Sequence, residues 1–253
     1  MKSQDLLIRP LRGLPAVAAG DDLVGLALRS IKSMNDELQD GDVLVITQKI
    51  VSKMQGRSVD LASVVASAEA IELARKTNKD ARLVELILRE SSEVVRAVPG
   101  LIIVAHRLGF ILANAGIDRS NSSGTEVVLL LPEDPDGSAD EIRSAILART
   151  GKNVGVVIID SIGRAWRLGT VGTAIGVSGM PALLDLRGNL DLDGRPLEST
   201  EIGLADELAA ASSLVMGQAD EGTPIVLVRG VPYERLAGKA TDLVRPKNND
   251  LFR

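Results

Sequence analysis

The sequence contains no cysteine. Disulfide frameworks, thiolate metal sites and cysteine nucleophiles are therefore excluded. Histidine is almost missing too, since His106 is the whole imidazole inventory. A centre built on several histidines is impossible, and a Ser-His-Asp triad would have to use this one residue. Any divalent cation must be held by oxygen ligands, which favours magnesium or manganese. Aromatic residues are few: two Phe, one Tyr and one Trp. Stacking platforms for single-stranded nucleic acid are not expected. No run of about 18 uncharged apolar residues is present, the length a membrane-spanning helix needs. The start, MKSQDLLIRPLRG, lacks the apolar core of a signal peptide. A cytoplasmic setting with no membrane partner is the expectation. Long blocks of one charge sign are also missing, and the net charge is −5. That disfavours a nucleic-acid surface, while a local site can still oppose the net charge and hold an anion.

What is there is mostly aliphatic. Of 253 residues, 45% are apolar, enough for a substantial core. LLIRPLRGLP reads as a strand running into a Gly-Pro turn. After Asp21-Asp22, the residues Leu23, Leu26, Ala27 and Ile31 share one helical face. VLVIT, opened by Gly41-Asp42, is a buried strand. Residues 62–77 and 80–92 read as two helices. LIIVAH and FILANAGI flank Arg107-Leu108-Gly109 as a hairpin, with His106 a tolerated residue near a strand end. EVVLLL is another strand, and PEDPDGS leads to a helix. Ser138 and Glu141 have capping-box spacing there, and Ile142, Ala145 and Ile146 form the buried stripe. VGVVIID, residues 154–160, is an apolar strand ending at Asp160. Glycines 163, 169, 172, 176 and 179 follow it as a series. Residues 204–216 form a helix ending at Gly217, PIVLVRG is the last strand, and the tail beyond about 240 is polar. The fold class is α+β, a mixed α/β chain. It is neither Rossmann nor P-loop, because G-x-x-x-x-G-K-S/T is absent and the glycine series lacks G-x-G-x-x-G.

Several short segments carry chemistry. In ANAGIDRSN, an apolar strand runs through Gly116 to Asp118, Ser120 and Asn121. Gly116 permits positive φ or close backbone approach. The cluster suits an oxygen-ligand set or an Asx-type turn, and residue chemistry leaves both open. Asp160 closes a buried strand and is followed by Ser161, an arrangement that holds metals in phosphate-handling enzymes. A helix N-cap or a solvated loop uses the same residues. Two such acid-and-hydroxyl motifs reinforce each other as a site for hard cations between phosphates. Arg164 and Arg167 offer planar guanidinium groups to phosphate or carboxylate, with Trp166 packing the loop between them. Two solvated arginines are the alternative. Lys53, in QKIVSKMQGR, is either a mobile charge for a phosphate or a surface lysine. MGQADEGTP, from Met216, suits a loop that wraps a nucleotide through backbone groups, or a simple C-cap and turn.

Read in order, GLPAV, GDVLVITQKIVSKMQGR, ANAGIDRSN, LLPEDPDGSADEIR, GVVIIDSIGRAWRLGTVGTAIGVSG and ADELAAASSLVMGQADEGTPIVLVRG resemble one family. It is the coenzyme F420-0:L-glutamate ligases, and the resemblance covers roughly residues 5–231. It implies a single module over 1–253 with two lobes, without the C-terminal flavin-reductase-like domain that some relatives carry. It implies GTP as cosubstrate. L-glutamate is joined by an amide bond to the deazaflavin precursor coenzyme F420-0 through an acyl phosphate, releasing GDP and phosphate. Further γ-linked glutamates can extend the tail. A homodimer is implied, with a pair of Mg2+ or Mn2+ ions per site and K+ as a further candidate. Carried over by motif, Asp118, Asp160, Ser161 and Gln218 resemble metal ligands. Leu14, Pro15, Ala16, Val17, Gln48, Lys53, Asn121, Met216, Gly217, Gln218, Ala219, Asp220, Glu221, Gly222 and Thr223 match nucleotide-contacting segments. Arg164 and Arg167 are the candidate catalytic residues, gripping transferred phosphate or substrate carboxylates. The chain departs from the usual pattern at Gln48, where some relatives have a small hydroxyl residue, and at Ser161, Ile162 and Ala165. Serine keeps the hydroxyl at 161. The competing classes are a nucleotide- and deazaflavin-binding module without turnover and a plain GTP hydrolase.

Overall fold

Uninterrupted aliphatic runs are satisfied only by burial on both faces, and two such runs, VLVIT and GVVII, lie side by side at the centre of the fold. The structure is a computed structural model describing residues 5–119, 126–233 and 236–250. Ser120 and Asn121 lie outside the described residues. In chain order the described elements are β1 (Leu7–Pro10), α1 (Leu23–Ser33), β2 (Val43–Thr47), α2 (Gln48–Met54), β3 (Ser58–Asp60), α3 (Ala68–Thr77), α4 (Ala81–Arg89), β4 (Ser91–Val98), β5 (Leu101–His106), β6 (Ile111–Ala113), β7 (Val127–Leu129), α5 (Pro135–Thr150), β8 (Gly155–Gly163), β9 (Thr170–Ser178), β10 (Leu184–Asp185), β11 (Glu201–Ile202), α6 (Leu204–Met216) and β12 (Ile225–Arg229).

The main sheet runs β1-β12-β2-β8-β9. β2 and β8 are parallel, with Thr47 opposite Ile159, and the other pairs are antiparallel. Helices α5 and α6 pack against this sheet, and α1 against α5. Glycines on β9 permit the approach. A Cβ on Gly172 would strike the Ala209 carbonyl of α6, and one on Gly176 the Pro135 carbonyl of α5. A second apolar cluster gathers around α3, α4, the β4-β5-β6 sheet and the β3-β7 ladder, with Val84, Ile87, Ile102, Val104 and Val128 among its buried members.

The mixed α and β class holds, and several element boundaries move. The helix expected over 62–77 begins only at α3, where Ser67 accepts the Ala70 N–H; before it, Leu61–Ser63 is a single 3-10 turn and Val64 is extended. The helix expected to 92 stops at Arg89, and SSEVVRAV becomes β4 because its valines pair across to β5. The Ser138–Glu141 capping box does not form. Asp134 caps α5 a turn earlier, accepting the Gly137 N–H at 3.0 Å, because Pro135 fits the first helical position where no N–H is needed. Ser138 then lies inside the helix and donates to the Asp134 carbonyl. The strand expected to end at Asp160 continues to Gly163 and turns back as β9, so the glycine series is largely strand. Among the described residues, no helix is long and apolar enough to cross a membrane.

Candidate functional site

Parallel β2 and β8 bring their C-terminal ends to the same edge of the sheet, the edge where ligands enter open α/β sheets. Antiparallel β12 starts at that edge, with the Thr47 N–H donating to the Pro224 carbonyl at 3.0 Å. β1 ends there as well, the Leu11 N–H donating to the Ile225 carbonyl at 2.8 Å. Four segments distant in sequence therefore converge: Leu14–Val17 after β1, α2 after β2, Asp160–Gly163 of β8, and the loop from Gly217 into β12. They line a cavity of about 740 Å3 together with Leu112, Gly116 and Asp118. That volume lies in the range of small-molecule and cofactor sites.

Asp118 is delivered by an unusual turn. Asn114, Ala115 and Gly116 all have positive φ, at 51°, 53° and 65°. At Gly116 a Cβ would also come within 2.9 Å of the Leu131 side chain, so glycine is required twice over. Beyond the turn, Asp118 exchanges two backbone hydrogen bonds with Leu129, both at 2.9 Å. Its carboxylate lies 2.7 Å from Lys49 Nζ.

Asp160 is half-buried in β8, opposite Thr173. Burial pushes its carboxyl above the ordinary range. The Ser161 N–H opposes this, the Asp118 charge adds to it, and Lys49 and a hydrogen bond from Gln48 pull it back. Gln48 is only 1% exposed, and its Oε1 accepts from the Ser52 hydroxyl at 3.0 Å. Its amide is thereby clamped between α2 and Asp160. The Ser161 hydroxyl donates to Gln218 Oε1 at 2.9 Å, joining β8 to the last loop. In that loop Gly217 and Gly222 have positive φ, at 74° and 66°. The Glu221 carboxylate accepts the Ala219 N–H at 2.8 Å, and Thr223 Oγ1 donates to the Met216 carbonyl at 3.0 Å.

Of the residues singled out in the sequence, Leu14, Pro15, Ala16, Val17, Gln48, Lys53, Asp118, Asp160, Ser161, Met216, Gly217, Gln218, Ala219, Glu221, Gly222 and Thr223 all line the cavity. Asp220 is exposed and is not among the lining residues. Arg164 and Arg167 stand on the exposed turn between β8 and β9, away from the lining; Arg164 Nη2 donates to the Leu168 carbonyl at 3.3 Å. Trp166, expected inside this loop, is 88% exposed, because the turn belongs to neither apolar cluster. Lys53 lies on α2, which follows β2 directly. Lys49, one helical turn before it and also lining the cavity, escaped the sequence reading. Its signal was the pair of lysines four apart directly after a strand.

Among the described residues, no three His, Cys, Asp or Glu side chains converge to hold a metal. The cavity offers instead two carboxylates, a hydroxyl and an amide oxygen, from Asp118, Asp160, Ser161 and Gln218. All are hard oxygen donors. They fit a magnesium-like cation, which takes one or two carboxylates and completes its shell with water and substrate phosphates.

A family model described as F420-0:Gamma-glutamyl ligase matches residues 13–230. A Methanothermobacter thermautotrophicus protein is 46% identical over 245 residues, covering 96% of this chain and 97% of its own. One from Methanocaldococcus jannaschii is 48% identical over 216 residues, covering 85% and 86%. One from Methanopyrus kandleri is 46% identical over 252 residues, covering 98% of each chain. All three are named Coenzyme F420:L-glutamate ligase.

Proposed function

This chain belongs to the F420-0:gamma-glutamyl ligase family and is a ligase, and from that premise we propose that it joins L-glutamate to coenzyme F420-0 by a GTP-driven amide bond formation. The observation that carries the reading is the convergence of Asp118 and Asp160 on one cavity of nucleotide size, at the C-terminal edge of the parallel strand pair.

A carboxylate is a poor acyl donor at neutral pH. Its oxygen attacks the γ-phosphorus of GTP, the bond to the bridging oxygen breaks, and GDP leaves. The amine of glutamate then attacks the acyl carbon, phosphate departs, and the nitrogen gives up a proton. Both anionic partners must be brought together against their own repulsion. Asp118, Asp160, Ser161 and Gln218 would hold magnesium or manganese, which when bound would supply the positive charge that offsets it. A pair of such ions fits two acid motifs, and potassium is a further candidate. Lys53 adds a mobile charge on the same wall. Gln48 fixes the orientation of Asp160 through its clamp to Ser52. Leu14–Val17 and Met216–Thr223 enclose the nucleotide from two sides of the cavity. Arg164 and Arg167, on the exposed turn beyond Ser161, grip the carboxylates of the incoming substrates. The enzyme works as a single two-lobed module and as a homodimer, and the same chemistry repeated would extend the tail by γ-linked glutamates.

The test is a turnover assay with each substrate omitted in turn, read by mass spectrometry. GDP release is expected to require both glutamate and the deazaflavin acceptor, and the acceptor to gain glutamyl units. GDP formed at the same rate without either one would make this a GTP hydrolase. For the arginines, Arg164→Ala and Arg167→Ala are expected to raise KM for the anionic substrates about tenfold, the scale of losing one charge-assisted contact. Unchanged kcat/KM for every substrate would remove them from the site.

A further inference from the structure

Two carboxylates in one cavity repel each other unless a cation stands with them. The chain supplies one itself. Lys49 Nζ lies 2.7 Å from Asp118 Oδ2, and its charge also acts on Asp160. The two partners differ in freedom. Asp118 is pinned, because its backbone exchanges two hydrogen bonds with Leu129 and follows the left-handed turn at Gly116. Lys49 is the second residue of α2, its side chain is about one-third exposed, and its four-carbon stem can swing without moving the helix. An ion pair this exposed is weak. A doubly charged ion held by Asp118 and Asp160 would outcompete the ammonium, and its charge would repel it.

We propose that Lys49 is an internal counter-cation for Asp118, which neutralises that carboxylate while no divalent ion is bound and is driven off it when one binds. This rests on the reading of Asp118 as a metal ligand. The ammonium, released towards a cavity that Lys53 also lines, then adds to the positive charge facing an anionic cosubstrate. Divalent ion and lysine thus compete for one carboxylate, and metal affinity in the absence of nucleotide is set partly by Lys49. A lysine with a purely structural role would not have this effect.

The test is isothermal titration of the full chain with Mn2+ alone, without nucleotide, for the wild type, Lys49→Met, Lys49→Arg, Asp118→Asn and Asp160→Asn. Lys49→Met is expected to bind Mn2+ about fivefold tighter or more, the scale of losing one partly exposed ion pair. Lys49→Arg should stay near the wild type, and Asp118→Asn should lose binding. Thermal melts supply a second reading: Lys49→Met should melt lower than the wild type without Mn2+ and gain more from its addition. If Lys49→Met folds poorly, Lys49→Gln takes its place in both measurements. Unchanged or weaker Mn2+ binding by Lys49→Met, or by Lys49→Gln in its place, with binding lost in Asp118→Asn, overturns the counter-cation alone. Wild-type Mn2+ binding by Asp118→Asn and Asp160→Asn together would instead overturn the metal reading beneath it.

Discussion

At Gly116 a single missing side chain decides where Asp118 points. The backbone there is left-handed, and the space a Cβ would need is taken by Leu131. Gly116→Ala is therefore expected to cost about 2 kcal/mol in urea unfolding, from backbone strain and overpacking together. An unchanged unfolding midpoint would mean that the turn is not fixed as described. Residues of this kind stand out in the sequence, because a glycine near an acid at the end of an apolar run marks a sharp turn there, although residue chemistry leaves an Asx-type turn and a ligand set both open. Asp160 with Ser161 stands out as an acid and a hydroxyl at the end of an apolar run. Lys49 was not. Its meaning lies in a pairing with Asp118, far away in the chain, and the local signal, two lysines four apart after a strand, does not say which of them meets the acid. Gln48 was read as a nucleotide contact; it lines the cavity, and its buried amide also bonds Asp160, which nothing local in the sequence shows.

Among the elements, the strands that carry the cavity were the easiest to read. β2, β8 and β12 are aliphatic runs buried on both faces, and composition alone marks them. β9 was hidden because its glycines look like a loop; they are there so that α5 and α6 can lie close. Gly172→Ala should accordingly push α6 from the sheet and lower stability by about 2 kcal/mol, measured by thermal melt or urea titration. β4 was hidden because it follows α4 without a break residue, so only its pairing with β5 shows it to be a strand. The sheet is also tied by charge. Arg229 on β12 donates from Nε to Asp42 Oδ1 and from Nη2 to Oδ2, both at 2.8 Å, and Asp42 is 1% exposed. Arg229→Ala leaves that carboxylate buried without its partner, and about 3 kcal/mol of stability should go with it. An equal loss in Asp42→Asn/Arg229→Ala and in Arg229→Ala alone would mean that the unpaired Asp42 carboxylate is not the source of the loss.

Across the whole molecule the two apolar clusters are joined at Glu90, which ends α4. Its carboxylate takes Arg57 Nη2 at 3.1 Å and Arg107 Nε at 3.0 Å, and His106 Nε2 lies 3.6 Å away. Arg57 also donates to the Leu131 carbonyl and Arg107 to that of Glu133, on the approach to α5. His106, read in the sequence as merely tolerated, is buried beside this knot. Burial alone would raise the Glu90 carboxyl, yet His106, Arg107 and Arg57 hold it at about 2, against an ordinary 4.5. A carboxyl lowered on folding stabilises fully above its unfolded value, and that stabilisation fades as pH falls from there towards the folded one. The wild type should exceed Glu90→Gln by roughly 2 kcal/mol at neutral pH after allowance for solvent screening. Urea titrations should show the two converging between pH 4.5 and about 2. A difference independent of pH would contradict the knot.

The central claim is that Asp118 and Asp160 together hold the charge that makes nucleotide-driven ligation possible. It is tested most directly by following GDP and glutamylated product together, by mass spectrometry, in Asp118→Asn and Asp160→Asn. The account predicts that each loses both products in parallel, by about a hundredfold or more, with melting temperatures close to the wild type. Wild-type rates of glutamyl addition in both folded variants would contradict it.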